Sequence, residues 1–213
     1  MERITLSDGT LGKAVEHATA VLKRGGVILF PTDTLYGLGA DAFCDRAVDA
    51  VYRVKERNEG NPVHCIVADL AMAEEYADLT DDARLLAQDF FPGPLTLVLK
   101  KHPDLDRGIG RDLRTIGIRI PDNEFCLSLA SALGKPFTAT SANRSGEKPM
   151  RTVGAILEQL GATADEIDLS IDAGQLSPRQ PSTVVDLSGE SPVILREGAV
   201  PAADVWNVLR TEP

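Results

Sequence analysis

The sequence predicts an α/β fold, and three observations predict it. Short aliphatic and β-branched runs alternate with longer segments whose apolar residues recur at three- and four-residue steps. Glycine and proline mark most of the boundaries between them. No low-complexity linker and no internal repeat interrupts the 213 residues, so one domain spanning residues 1–213 is the expectation.

Taken in order, Leu11, Val15, Ala18 and Leu22 predict a helix over Gly9 to Arg24, ended by Gly25-Gly26. Val27 to Phe30 is too short for a helix and reads as a buried strand. Asp45 is placed to N-cap a helix running to about Lys55, with Val48, Val51 and Tyr52 inward. Pro62 to Val67 reads as a strand, and Ala71 to Tyr76 and Asp81 to Phe90 as short helices. After the break at Pro92-Gly93-Pro94, strands are predicted at Leu95 to Lys100 and Thr115 to Ile120. A helix over Glu124 to Leu133 stops at Gly134. Pro136 to Thr140 is a strand and Val153 to Leu160 a helix. Late strands fall at Ile167 to Ile171, Ser182 to Leu187 and Val193 to Leu195, before a last helix over Ala202 to Leu209. The polar, glycine-containing stretch from Lys101 to Arg114 reads as a mobile surface loop, either functional or simply disordered.

Composition narrows the function. A net charge of −10, from 32 acidic and 22 basic residues, excludes a uniformly basic nucleic-acid binder. It leaves room for a local basic cleft from Lys55, Arg57, Arg119, Arg144, Lys148 and Arg151. Cys44, Cys65 and Cys126 form no CxxC pair, and with His17, His64 and His102 they show no zinc-type spacing. A reducing, cytoplasmic setting and no protein-held metal are therefore expected. The N-terminus lacks an apolar signal core, and no apolar run approaches the ~20 residues of a membrane span.

Chemistry concentrates in a few segments. PTDTLYGLGADA, Pro31 to Ala42, contains a G-x-G-x-x-A match at Gly37, Gly39 and Ala42. A dinucleotide site needs its helix to begin within those glycines. Here the preceding strand ends at Pro31 and the next helix begins near Asp45, so that reading is set aside. Thr32, Asp33, Thr34 and Tyr36 fit either a small polar ligand at a strand's carboxyl end or a self-capped turn. Lys55 and Arg57 fit either a phosphate clamp or basic residues favoured at a helix C-terminus. The small polar residues of Thr138 to Gly146 offer donors to phosphate or ribose. Arg119, within the apolar run Ile116 to Ile120, requires an anion: a neighbouring Asp or a ligand carboxylate. Ser182 and Thr183 add hydroxyls at a strand start.

These segments, with FPGPLT at Phe91 to Thr96, TIGIRIP at Thr115 to Pro121, TSANRSG at Thr140 to Gly146, STVVD at Ser182 to Asp186 and REG at Arg196 to Gly198, resemble the YrdC-like threonylcarbamoyl-AMP synthase family. The resemblance runs from about Leu11 to Val200. It implies a twisted mixed sheet with flanking helices around a large concave pocket. It also implies a nucleotidyltransferase that joins L-threonine, bicarbonate or CO2 and ATP into threonylcarbamoyl-AMP and pyrophosphate. A transferase complex would then carry the group to tRNA.

By the same resemblance Thr34, Arg119 and Ser182 bind threonine, Arg119 through its carboxylate. Lys55, Arg57, Ser141 and Asn143 surround the nucleotide, with Lys55 and Arg57 stabilising phosphate charge beside Mg2+ carried on ATP. Asn61, Thr115 and Arg196 match further ATP contacts. One departure stands out. Ile66 occupies the position where many members carry histidine. His64 shares its strand face by alternation, and either substitutes for that histidine or packs at a strand edge. The resemblance further implies the short form, without the extra C-terminal domain of longer members. The alternatives are a non-catalytic RNA-binding protein of this fold and a paralogue using another carbamoyl-type substrate.

Overall fold

A computed structural model of the chain describes residues 1–56 and 63–210. Arg57 and Asn61, expected at the nucleotide, lie outside the described residues. The first half contains β1 (Glu2–Thr5), α1 (Leu11–Lys23), β2 (Ile28–Pro31), β3 (Tyr36–Gly39), α2 (Asp45–Lys55), β4 (His64–Ile66), α3 (Leu70–Glu74), α4 (Asp81–Phe90) and β5 (Leu95–Lys100). The second contains β6 (Thr115–Arg119), α5 (Glu124–Leu133), β7 (Phe137–Ser141), α6 (Val153–Leu160), β8 (Leu169–Asp172), β9 (Thr183–Asp186), β10 (Val193–Arg196) and α7 (Ala202–Leu209). The strands form one ten-stranded sheet in the order β1-β8-β2-β3-β7-β4-β6-β5-β9-β10. It is mixed: β1 and β2 run parallel to β8, β4 to β6 and β5 to β9, while the other neighbours are antiparallel. The α/β class and the mixed sheet with flanking helices are as expected. Among the described residues no helix is long and apolar enough to cross a membrane.

Alternation along β2 shows how the layers form. Ile28 and Phe30 enter a core with Ala14, Ala18 and Leu22 of α1 and Phe125 and Leu129 of α5. Leu29 points the other way, into a core with Val51 and Val54 of α2 and Ile156 of α6. A third core joins β5 and β6 to α4 and α7 through Leu97, Ile118, Leu86 and Val205. The helices start on side-chain caps where the sequence supplies them. Asp69, Thr80, Asn123 and Thr152 accept from the backbone N–H three residues on.

Two strands escape the sequence reading. β1 is short and largely exposed, with only Ile4 buried, so it carries no alternating signal. β3 is Tyr36-Gly37-Leu38-Gly39, which reads as a loop. Its glycines answer to the Phe30 ring across the ladder. A Cβ at Gly37 would lie 2.9 Å, and one at Gly39 2.8 Å, from that ring. The glycines thus serve a strand, not a dinucleotide turn.

Two further expectations are corrected. Asp45 does not cap α2: Cys44 holds the N-cap position, and the Asp45 carboxylate accepts from Gly108 N–H at 2.5 Å. That contact belongs to the second correction. The segment from Lys101 to Arg114 is no free loop, because Leu105 and the 3₁₀ turn Gly108–Gly110 are buried. Ile109 N–H donates to Ala42 O at 2.9 Å, and Arg111 donates to Asp49 at 3.0 Å. Gly108 has φ +58°, and a Cβ there would lie 2.0 Å from Ala42 O, so glycine alone permits this approach.

Candidate active site

A cavity of about 260 Å³ lies against the middle of the sheet. Its walls come from the β2–β3 turn, β4, β5, Ile109 and Leu113, β6, β7, the start of β9 and the end of β10. Alternation along β6 turns Thr115, Gly117 and Arg119 toward it, while Ile118 enters the apolar core. Gly117 is needed where it stands, since a Cβ there would come within 2.9 Å of His64 Cβ.

The β2–β3 turn is organised by Thr32. Its Oγ1 accepts from Thr34 N–H at 3.0 Å and Leu35 N–H at 3.1 Å, and donates to Leu35 O at 2.8 Å. The Thr32 and Thr34 hydroxyls lie 3.0 Å apart, with either able to donate. The Thr34 oxygen accepts from Arg119 Nη1, also at 3.0 Å. Arg119 donates through Nε to Gly93 O at 3.2 Å and through Nη2 to the Asp33 carboxylate. Both members of this ion pair are buried, their side chains 5% and 4% exposed. The anion that Arg119 requires is therefore Asp33. A guanidinium has five N–H groups. Three are engaged here, and the remaining two, one on each Nη, have no partner among the described residues.

Along the sheet from Arg119, Ser182 Oγ shares a 2.9 Å hydrogen bond with Thr96 Oγ1 of the adjacent β5. Arg196, exposed at the rim, donates to Ser182 O through Nε at 3.1 Å and Nη2 at 2.8 Å. The next residue, Thr183, points away and ties down the Arg196–Gly198 segment by accepting from Gly198 N–H at 2.9 Å. Gly198 packs against this chain so closely that a Cβ would sit 2.2 Å from Pro181 O.

The expected site residues thus fall into two groups. Thr34, Arg119, Ser182, Thr115, Ser141 and Arg196 line the cavity. Lys55 and Asn143 lie behind its wall: Lys55 is 1% exposed, and its ammonium donates to Ser141 O and, at 2.8 Å, to Asn143 O. Asn143 in turn donates to Glu147 O at 2.8 Å. The expected basic cleft is largely dispersed. Arg119 pairs with Asp33, Arg144 Nε lies 3.1 Å from Glu56, and Arg151 reaches Leu176 O at 3.4 Å. His64 and Ile66 both line the cavity, as alternation predicts. The alternative of His64 at a strand edge is corrected, because β4 is paired on both sides, with β6 and β7.

Sequence reasoning missed Asp33 as the answer to Arg119, and Gly93 as its carbonyl acceptor. It also missed what the Tyr36 hydroxyl holds beyond the cavity wall. Tyr36 O–H donates to Gly174 O at 2.8 Å and accepts from Ala173 N–H at 2.9 Å, beside Asp172. Burial pushes the Tyr36 hydroxyl up to about 12. Burial also pushes Asp172 upward, but the Arg3 hydrogen bond and Gly174 N–H outweigh it, and the carboxyl falls below its ordinary value. Arg179 donates to Asp33 O at 2.9 Å. These contacts pin the segment that crosses from β8 to β9 over the sheet.

A family model, Sua5_yciO_yrdC, described as "Telomere recombination", matches residues 20–198. A Methanocaldococcus jannaschii protein named putative threonylcarbamoyl-AMP synthase is 35% identical over 89% of this chain and 87% of its own. The Pyrococcus abyssi threonylcarbamoyl-AMP synthase is 35% identical over 92% of this chain, which spans only 57% of that longer protein. A crystal structure of P. abyssi Sua5 complexed with L-threonine superposes with a TM-score of 0.87 at 32% identity, covering 98% of this chain and 60% of that one.

Proposed function

The chain belongs to the Sua5/YciO/YrdC family, and from that premise we propose that it is an L-threonylcarbamoyladenylate synthase, a nucleotidyltransferase acting in the cytoplasm. It would join L-threonine, bicarbonate or CO2 and ATP, and release pyrophosphate. One observation carries the reading: a buried arginine lines the cavity with two N–H groups unengaged by described residues, and the buried Ser182 hydroxyl lines the same cavity. That pair suits the carboxylate and polar groups of an amino acid. The threonine bound in the P. abyssi structure supports it.

In this mechanism Arg119 holds the threonine carboxylate, with Thr34 and Ser182 lining the same end. The neutral amine then adds to CO2 and gives up a proton to solvent, leaving a carbamate; starting from bicarbonate, the same product forms with loss of water. A carbamate oxygen attacks the α-phosphate, and pyrophosphate leaves. Positioning and charge neutralisation carry such a transfer. Thr115, Ser141 and Arg196 would meet the nucleotide from the cavity wall, with Asn61 and Arg57 completing that end. Lys55 and Asn143 would act at the same end. The Lys55 ammonium donates to the Ser141 and Asn143 carbonyls and, at 3.5 Å, to Asn143 Oδ1, so a phosphate oxygen reaching it would compete first with the last and longest of these contacts. Mg2+ fits as a companion of the ATP phosphates, whose charge it would neutralise; among the described residues no group of three His, Cys, Asp or Glu is gathered to hold it. The product would pass to a transferase complex that modifies tRNA.

Pyrophosphate release tests the reading. With ATP, Mg2+ and bicarbonate, release should depend on L-threonine and vanish with serine or without bicarbonate. Folded protein that releases none under any condition would point to an RNA-binding protein or a paralogue with another substrate.

A further inference from the structure

We propose that Asp33 is a specificity-determining residue: by neutralising Arg119 it admits a monocarboxylate to that end of the cavity and keeps phosphate groups out. The inference rests on the reading of Arg119 as the receptor for the amino-acid carboxylate.

A cavity that holds both an amino acid and a nucleotide has a sorting problem. A buried guanidinium is a bidentate receptor for phosphate as much as for carboxylate. Low local dielectric strengthens either attraction. An unpartnered Arg119 would therefore hold the chain of phosphate charge in the wrong register. Asp33 changes the terms. Its carboxylate already accepts from Arg119 Nη2 within a pair whose side chains are almost wholly buried at the cavity wall. A dianionic phosphate at Arg119 would share the guanidinium with a fixed negative charge that repels it. A monocarboxylate meets half of that repulsion and can still use the two remaining N–H groups.

Asp33 is also not at liberty to swing aside. Its side chain is 4% exposed. Its carbonyl accepts from Arg179 at 2.9 Å, and the neighbouring Thr32 and Thr34 hydroxyls fix the turn that carries it. The negative charge is thus part of the built site.

Asp33→Asn isolates the charge, because its amide oxygen can still accept from Nη2. Titration calorimetry of the full chain with L-threonine, alone and with inorganic phosphate as competitor, reads the result. In the wild type, threonine should bind and phosphate should leave its affinity unchanged. In Asp33→Asn, phosphate should compete, and the ratio of threonine to phosphate affinity should fall by roughly tenfold or more, the scale of one relieved like-charge contact. A purely structural role for Asp33 would weaken threonine binding without creating phosphate competition, and would overturn the proposal. Phosphate competition in the wild type would do the same. If Asp33→Asn does not fold, Asp33→Glu substitutes for it: with the charge retained, competition there sinks the proposal and continued exclusion upholds it. No threonine binding by the wild type would instead remove the functional reading beneath.

Discussion

Arg119 and Lys55 are both buried cations close to one cavity, yet they are held in opposite ways. Arg119 is answered by a carboxylate, a hydroxyl and a carbonyl, and it lines the cavity. Lys55 rests on the carbonyls of Ser141 and Asn143 behind the wall. The guanidinium is a fork that can serve several partners at once and still face a ligand. The ammonium is a point charge, and here it gathers the carbonyls of the loop above it. One cation presents itself to the cavity; the other shapes the segment that does.

Breaking the first should have the largest effect. Arg119→Ala leaves Asp33 buried without its partner, a loss of about 3–5 kcal/mol, measurable by urea unfolding. In the protein that remains folded, threonine binding should fall much further than ATP binding. Equal loss of both would return Arg119 to a purely structural role. Lys55→Met comes next. It strips the ammonium from two carbonyls, at about 1–3 kcal/mol, and should weaken ATP binding while threonine binding survives. If threonine binding fell equally, the division between the two cations would not stand.

Tyr36 offers a third, uncharged anchor. Its folded value of about 12 lies above the ordinary 10.0, so its contribution is complete below pH 10 and is lost as pH rises toward 12. Tyr36→Phe should flatten that alkaline limb of the stability profile and leave the neutral region little changed in shape. The smallest effect is reserved for Ser182→Ala, which removes one hydroxyl from the pair with Thr96. Threonine affinity should drop by a net hydrogen bond, about 0.5–1.5 kcal/mol, with ATP affinity held.

Much of this was legible in sequence, and the exceptions have physical causes. The helices were visible because their apolar stripes and caps are local. β5 was visible as an apolar run after the Pro92-Gly93-Pro94 break, and β6 by its alternation up to Pro121. β3 was hidden because its glycines reflect a contact with Phe30, which no window along the chain reveals. The segment around Gly108 looked loose for the same reason, its partners being Ala42 and Asp45. At the site, the sequence required an anion for Arg119 without saying which. Asp33 lies far from it along the chain, and only the sheet order β2-β3-β7-β4-β6 brings them together. The burial of Lys55 was equally invisible, since a lysine at a helix end ordinarily faces water.

The pairing of β1 with β8 also sets a schedule. Ile4 lies opposite Ile171, and Arg3 reaches Asp172. On the ribosome, at about 5–20 residues per second, the first strand waits on the order of ten seconds or more before its neighbour is made. Until then the edge of β1 has no ladder to join, and the α1 helix behind it lacks the Leu169 and Ile171 side chains that complete its core. β1, made long before its partner β8, is thus among the last parts to find its place.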